Sequence, residues 1–356
     1  MMIAPNTLIG DRYVVLEHVG AGGMQDVYRA KDNFLGGEVA LKTPQPGQKT
    51  RRFQASAVIA GKVNHHNVAK TLDYFEDNSE VYLVEEFVNG QTLEDKIQHR
   101  DFLDPHLAAR TLHLLAKGIR ASHLQGVIHR DLKPSNIMID SSAGIEELKI
   151  TDFGIATFTE EVFNEEAQSG DITRSTSGTV KGALPFMAPE MMFRKKGDQL
   201  TCALDIWSIG AMMFKLMTGK YPFGVFLDAA VNVKNQDRLD WPAFMTANAQ
   251  FAPLCRELQS IVDSCLEYDP AQRPTADDLV KMCQNLCYQT SERHEATVYR
   301  LIQNGYSGFA ESHDHDVFFS IHSLYGASRV PNGSKISYSK FPGRPNARAH
   351  PVIIEK

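Results

Sequence analysis

Within the run His129-Arg130-Asp131-Leu132-Lys133-Pro134-Ser135-Asn136 stand a carboxylate, an ammonium two positions on and a carboxamide five positions on. These side chains could take up a proton, meet moving negative charge and offer a hard oxygen to a cation, respectively. A second carboxylate, Asp152, follows at the end of a hairpin-like stretch. Ile137–Ile139 and Leu148–Ile150 read as two short strands around the turn Ser141-Ser142-Ala143-Gly144. That hairpin brings Asn136 and Asp152 together from either side.

The run at 129–136 resembles the catalytic loop of the Ser/Thr protein kinases, H-R-D-L-K-x-x-N. The resemblance implies that Asp131 accepts the proton of a substrate hydroxyl, that Lys133 neutralises the moving phosphoryl group and that Asn136 holds Mg²⁺. Supporting motifs occur in kinase order. Asp152-Phe153-Gly154 resembles the D-F-G element, whose Asp chelates Mg²⁺, and Val39-Ala40-Leu41-Lys42 resembles the V-A-I-K strand, whose Lys pairs with the ATP phosphates. Ala188-Pro189-Glu190 is similar to the end of an activation segment. Asp205 and Arg273 match the residues that brace the catalytic loop and pair with the A-P-E Glu. The resemblance covers roughly residues 11–288 and implies an α+β, two-lobed kinase fold with ATP in the cleft. Leu132-Lys133 is similar to the Ser/Thr rather than the tyrosine class.

The elements that must position these groups are legible from periodicity. Tyr13–Val19, Asp26–Ala30 and Gly37–Lys42 alternate apolar and polar residues with glycines at the bends, which suits the first strands of a small antiparallel sheet. Residues 51–63 read as a helix, Val81–Phe87 as another strand, and Leu107, Leu112, Leu115 and Ile119 recur at helical spacing. By position relative to the motifs, Val27 and Ala40 are expected to roof an adenine pocket, with Met138 as its floor. Glu86 and Val88 are expected to present backbone groups to the base. Gly20, Gly22 and Gly23 are expected to lie over the phosphates.

The chain departs from the family pattern at four places. Gln25 stands where the third glycine of G-x-G-x-x-G belongs. Ser56 takes the position of the helical Glu that pairs with the strand Lys, and no acidic residue occurs between Val39 and Leu72. Glu85 replaces a bulky apolar residue at the back of the pocket, and Ala183 replaces a Thr that bonds the catalytic Asp. An ammonium and a carboxylate buried alone are each costly, so Glu85 is expected to be the partner of Lys42, with Asp152 as the rival. All five residues expected to touch phosphate or metal are present, which favours an active kinase. The alternative is a pseudokinase that binds ATP as a conformational ligand and acts as a nucleic-acid-binding or scaffold protein. Thr173, Ser175, Thr176, Ser177 and Thr179 are candidate phosphorylation sites whose phosphate would dock on Arg130.

A net charge of −6 over 356 residues argues against a globally basic nucleic-acid binder. Five cysteines without C-x-x-C spacing read as reduced thiols. Neither a signal-peptide pattern at residues 1–10 nor an apolar run of membrane-spanning length occurs, so a cytoplasmic protein without membrane contact is expected. Partners are then protein substrates bearing Ser or Thr.

Residues 289–294 are polar and read as a linker, after which the texture changes to short β-like runs. Within 295–356, Gly305-Tyr306-Ser307-Gly308-Phe309-Ala310 and Asp316-Val317-Phe318-Phe319 resemble the cold-shock domain. That resemblance implies a small OB-type barrel on which Tyr306, Phe309 and Phe318 stack bases of single-stranded RNA or DNA. Ser320 stands where the family has His, and a protein-docking or purely structural barrel remains open.

Overall fold

The computed structural model describes residues 2–22, 25–45, 50–98, 100–153, 182–195, 198–302, 306–312 and 315–355, without the side chains of 50–52, 55, 56 and 315. The N-terminal alternation folds as an antiparallel sheet, since period-two patterning puts apolar side chains on one face. Its strands are β1 (Leu8–Ile9), β2 (Tyr13–Gly22), β3 (Gln25–Asp32), β4 (Glu38–Pro44), β5 (Thr71–Asp77) and β6 (Glu80–Glu86), in the order β1-β2-β3-β4-β6-β5. Tyr13, Val15, Tyr28, Leu41 and Val84 fill the core on one side. Ala40, Lys42 and Glu85, the alternating residues, belong to the other side, where the cleft lies. Helix α1 (Thr50–Ala60) lies near β5.

A connector leads from β6 through Gly90 into β7 (Gln91–Thr92), which joins β8 (Ile137–Ile139) and β9 (Leu148–Ile150) in a small sheet. Gly90 is required there: a Cβ would fall 1.9 Å from the carbonyl oxygen of Ile139. Helices α2 (Leu93–Gln98) and α3 (Pro105–Leu124) follow β7. Asp104 caps α3, accepting from the backbone N–H of His106 and Leu107, with Pro105 in the first turn. The second lobe continues with α4 (Pro189–Met192), α5 (Ala203–Thr218), α6 (Phe226–Asn235), α7 (Phe244–Ala247), α8 (Ala252–Cys265) and α9 (Ala276–Gln284). Leu112, Leu115 and Ile119 of α3 pack with Trp207, Leu258 and Leu279 in one core. Among the described residues, no helix is long and apolar enough to cross a membrane. All five cysteines are free thiols, three of them buried.

The C-terminal region is a closed barrel of β10 (Arg293–Leu301), β11 (Ser307–Ser312), β12 (His315–Ser320), β13 (Lys335–Phe341) and β14 (Ala347–Ile354), ordered β10-β11-β12-β14-β13. β12 and β14 are parallel and the other pairs antiparallel. The barrel is joined to the helical lobe by more than the chain. Tyr325 is 3% exposed and meets the rings of Phe102, Phe244 and Phe251. Buried Arg293 donates to Asp104, and Arg100 donates both to Glu355 and to the carbonyl of Ala143. Arg293 and His294 therefore belong to the first barrel strand, although the polar run 289–294 reads as a linker. Arg293 is polar because it ends in a buried ion pair.

Candidate active site

A cavity of about 470 Å³ lies between the N-terminal sheet and the helical lobe. From the sheet it is lined by Gly20, Val27, Ala40, Lys42 and Glu85, and from the connector by Glu86 and Val88. The helical lobe contributes Asp131, Lys133, Asn136, Met138 and Asp152. One space thus gathers the residues expected to hold base, phosphates and metal and those expected to act on the acceptor. The register explains the upper wall: Lys42 sits opposite Val27 on one side and Leu83 on the other, while Ala40 sits opposite Glu85.

The loop carrying Asp131 is held from beneath. Asp205, at the start of α5 and fully buried, accepts from the backbone N–H of His129 and Arg130, both at 2.8 Å. His123 Nε2 lies 2.8 Å from the same carboxylate. Burial works against the His123 imidazolium, but its hydrogen bonds to Asp205 and Cys202 outweigh this and push its pKa up to about 9. Burial opposes the Asp205 carboxylate too, yet His123 and the backbone donors hold its pKa below the usual value. Held in this way, Arg130 takes a φ of 69°, a conformation that non-glycine residues adopt only when their surroundings impose it. Farther out, Arg273 clamps Glu190 with two hydrogen bonds of 2.7 and 2.9 Å.

Around the reacting centre, Lys133 Nζ lies 2.9 Å from Asp131 Oδ2. Asn136 Nδ2 donates to the carbonyl and the carboxylate of Asp131, at 2.8 and 3.1 Å. With its nitrogen end committed, the Asn136 amide keeps its oxygen end for a cation. Asp152, across the β8–β9 hairpin, supplies a carboxylate and is also held at positive φ, 63°. An amide oxygen beside a carboxylate is a donor set suited to a hard divalent ion, so the residues fit such an ion.

Lys42 is buried and, among the described residues, has two anionic neighbours. Its Nζ is 2.5 Å from Glu85 Oε2 and 2.8 Å from Asp152 Oδ1. Burial opposes the ammonium, but Asp152 and Glu85 together outweigh it and hold the lysine pKa above its usual value. Burial raises the Glu85 carboxyl, with Lys42 pulling against it, whereas Asp152 is held low by Lys42 and Gln25. Glu86 turns its side chain outward to Lys149, 2.9 Å away.

Other expected residues lie elsewhere. Gly22 ends β2 opposite Gln25, while Gly23 and the hydroxyls Thr173, Ser175, Thr176, Ser177 and Thr179 lie outside the described residues, as does the side chain of Ser56. On the barrel, Phe309 and Phe318 face outward side by side, ring centroids 5.5 Å apart, and Tyr306 is 65% exposed. Guanidinium groups already cover both Phe rings: Arg300 lies 4.9 Å from Phe309 and Arg348 4.3 Å from Phe318. One cleft residue escapes a reading by motif: Gln25 Nε2 donates to Asp152 Oδ1 at 2.8 Å. Strand alternation carries the signal, because Gln25 stands two residues before Val27 and so shares its face.

Comparison with known proteins agrees with this geometry. The protein kinase domain family matches residues 13–283. A probable serine/threonine-protein kinase PknB of Lactococcus lactis is 30% identical over 82% of this chain and 44% of its own length. Serine/threonine-protein kinase PrkC of Bacillus subtilis is 34% identical over 60% of this chain and 32% of its own. Serine/threonine-protein kinase pkn2 of Myxococcus xanthus is 33% identical over 77% and 32%, respectively. The matched stretch thus spans less than half the length of each of these relatives.

Proposed function

The chain belongs to the protein kinase family, and we propose that it transfers the γ-phosphoryl group of ATP to serine or threonine hydroxyls of proteins. The observation that carries this reading is the meeting of Lys42, Asp131, Lys133, Asn136 and Asp152 on one cavity. Asp131 takes the proton of the incoming hydroxyl and aims its oxygen. Lys133, already beside Asp131, meets the charge of the group in transit, and Lys42 orients the phosphates that stay behind. Asp152 and Asn136 would hold the divalent ion, magnesium in this reading, which when bound neutralises phosphate charge. Glu85 serves as the anionic partner of Lys42, the task of a helical Glu that this chain lacks.

The activation segment is the natural first acceptor, with phosphate on one of Thr173, Ser175, Thr176, Ser177 or Thr179 docking toward Arg130. Incubating the full chain with ATP labelled at the γ position, then hydrolysing it in acid, should yield labelled phosphoserine or phosphothreonine. Bound but unconsumed ATP with no labelled residue would favour the pseudokinase alternative.

A second reading concerns the barrel. The closed five-stranded barrel with its one parallel pair supports the reading of a small OB-type, cold-shock-like barrel. The outward Phe309 and Phe318 with Arg300 and Arg348 beside them are the chemistry single strands stack on. Salt-dependent binding of a single-stranded oligonucleotide by the full chain, weakened in Phe309→Ala/Phe318→Ala, is the expected result. No binding at low salt leaves the barrel a docking or bracing unit.

A further inference from the structure

Gln25 opens β3, and the two-residue period of the strand turns its side chain, like that of Val27, into the cleft. The residue is 4% exposed. Its Nε2 donates to Asp152 Oδ1, the same carboxylate oxygen that Lys42 approaches. An ionised carboxylate only accepts hydrogen bonds, so the amide must point its nitrogen at Asp152 and its oxygen away. That oxygen, Oε1, is buried and has no hydrogen-bond partner among the described residues.

The nucleotide offers Oε1 little. Phosphate oxygens carry no hydrogen and repel a carbonyl oxygen, and the base would lie at the other end of the cavity, against Glu86 and Val88. A divalent cation, or water bound to one, is attracted to an amide oxygen, and Asn and Gln carbonyls are ordinary ligands of hard ions. Gln25 already touches one of the two residues that would hold the cation, and rotation about its last side-chain bond swings Oε1 toward Asp152. We propose that Gln25 is a third side-chain ligand of the divalent cation held by Asp152 and Asn136, binding through Oε1 directly or through a cation-bound water. This rests on the reading of Asp152 and Asn136 as the cation site. The substituted glycine position is then a gain of a ligand on the roof of the cleft.

The test is Mn²⁺ affinity of the full chain in the presence of a non-hydrolysable ATP analogue, read from the electron paramagnetic resonance signal of free Mn²⁺. Gln25→Leu keeps the bulk and loses the oxygen, and it should weaken Mn²⁺ binding at least fivefold. Gln25→Glu should match or exceed the wild-type affinity. If Gln25→Leu melts earlier than wild type, Gln25→Met takes its place with the same expectation. Mn²⁺ binding to the Leu or Met variant as tight as wild type, or tighter, overturns the proposal and makes Gln25 a plug over Asp152. Asp152→Asn is the reference: unchanged Mn²⁺ affinity there would overturn the underlying cation site itself.

Discussion

Replacing Glu85 by Met puts an apolar side chain at the back of the pocket, the residue type usual in the family, yet it should impair this chain. Lys42 and Glu85 are about equally buried, at 6% and 5% side-chain exposure, and 2.5 Å apart. At an effective dielectric of about 20, opposite charges this close attract by roughly 7 kcal/mol before desolvation is counted. Desolvation of both groups takes back most of that, leaving the 1.5–3 kcal/mol or so typical of a hydrogen bond to a charged group. Without Glu85, Lys42 keeps Asp152 alone as an anionic neighbour among the described residues, and Asp152 is the carboxylate proposed to hold the cation. The ammonium is then drawn toward the cation site when it should face the phosphates. If the lost orientation appears in the transition state, kcat/KM falls roughly 10- to 150-fold, at about 1.4 kcal/mol per tenfold. Stability should also fall, but by less than the roughly 3–5 kcal/mol of a fully orphaned buried charge, because Asp152 still partners Lys42. The assay is steady-state phosphoryl transfer to dephosphorylated casein, beside a melting curve of each protein. Equal or higher kcat/KM in a Glu85→Met protein that is fully folded at the assay temperature would refute the reasoning.

Other expectations follow from the same structure. Tyr325→Ala should cost about 3–5 kcal/mol, as for other large buried rings; both tryptophans, Trp207 and Trp241, pack in or against the helical-lobe core, so their urea transition should shift although the change is in the barrel region. An unmoved transition would mean that the barrel does not brace that lobe. The His123–Asp205 pair should make stability fall toward alkaline pH. The histidine pKa is raised in the fold from an ordinary 6.5 to about 9, so its contribution is complete below pH 6.5 and is lost as pH rises through about 9. At about 1.4 kcal/mol per pH unit this amounts to about 3 kcal/mol, and urea melts at pH 6 and 9.5 should show it in wild type and not in His123→Gln. Asp152→Asn should weaken nucleotide binding in the presence of the divalent ion and much less in its absence, as a calorimetric titration would show.

The loop at 129–136 was readable because the residues proposed to act there are contiguous: Asp131, Lys133 and Asn136 lie within six residues and need no tertiary information. The hairpin that brings Asp152 to them is also local. Glu85 was legible in another way, since two misplaced residue types, a missing acid before Leu72 and an extra one in β6, make sense only together. Gln25 was harder, because a glycine replaced in a phosphate loop reads as a loss, and its contact with Asp152 spans 127 residues. The seating of the barrel had no sequence signal at all. Arg293 and Asp104 stand 189 residues apart, and a buried arginine looks, in sequence, like any polar linker residue. Tyr325 likewise carries no periodicity that would assign it to the core of another lobe.

The central claim is that Asp131 works on an acceptor hydroxyl beside a bound nucleotide, and Asp131→Asn tests it most directly. Asparagine keeps the shape and the contact with the loop but cannot take the proton, so phosphoryl transfer from γ-labelled ATP should drop by about 10²–10⁴-fold. Nucleotide affinity, measured by fluorescence titration with an ATP analogue, should stay within a few-fold of wild type. A variant that transfers phosphate as fast as wild type while binding nucleotide equally well would contradict the account.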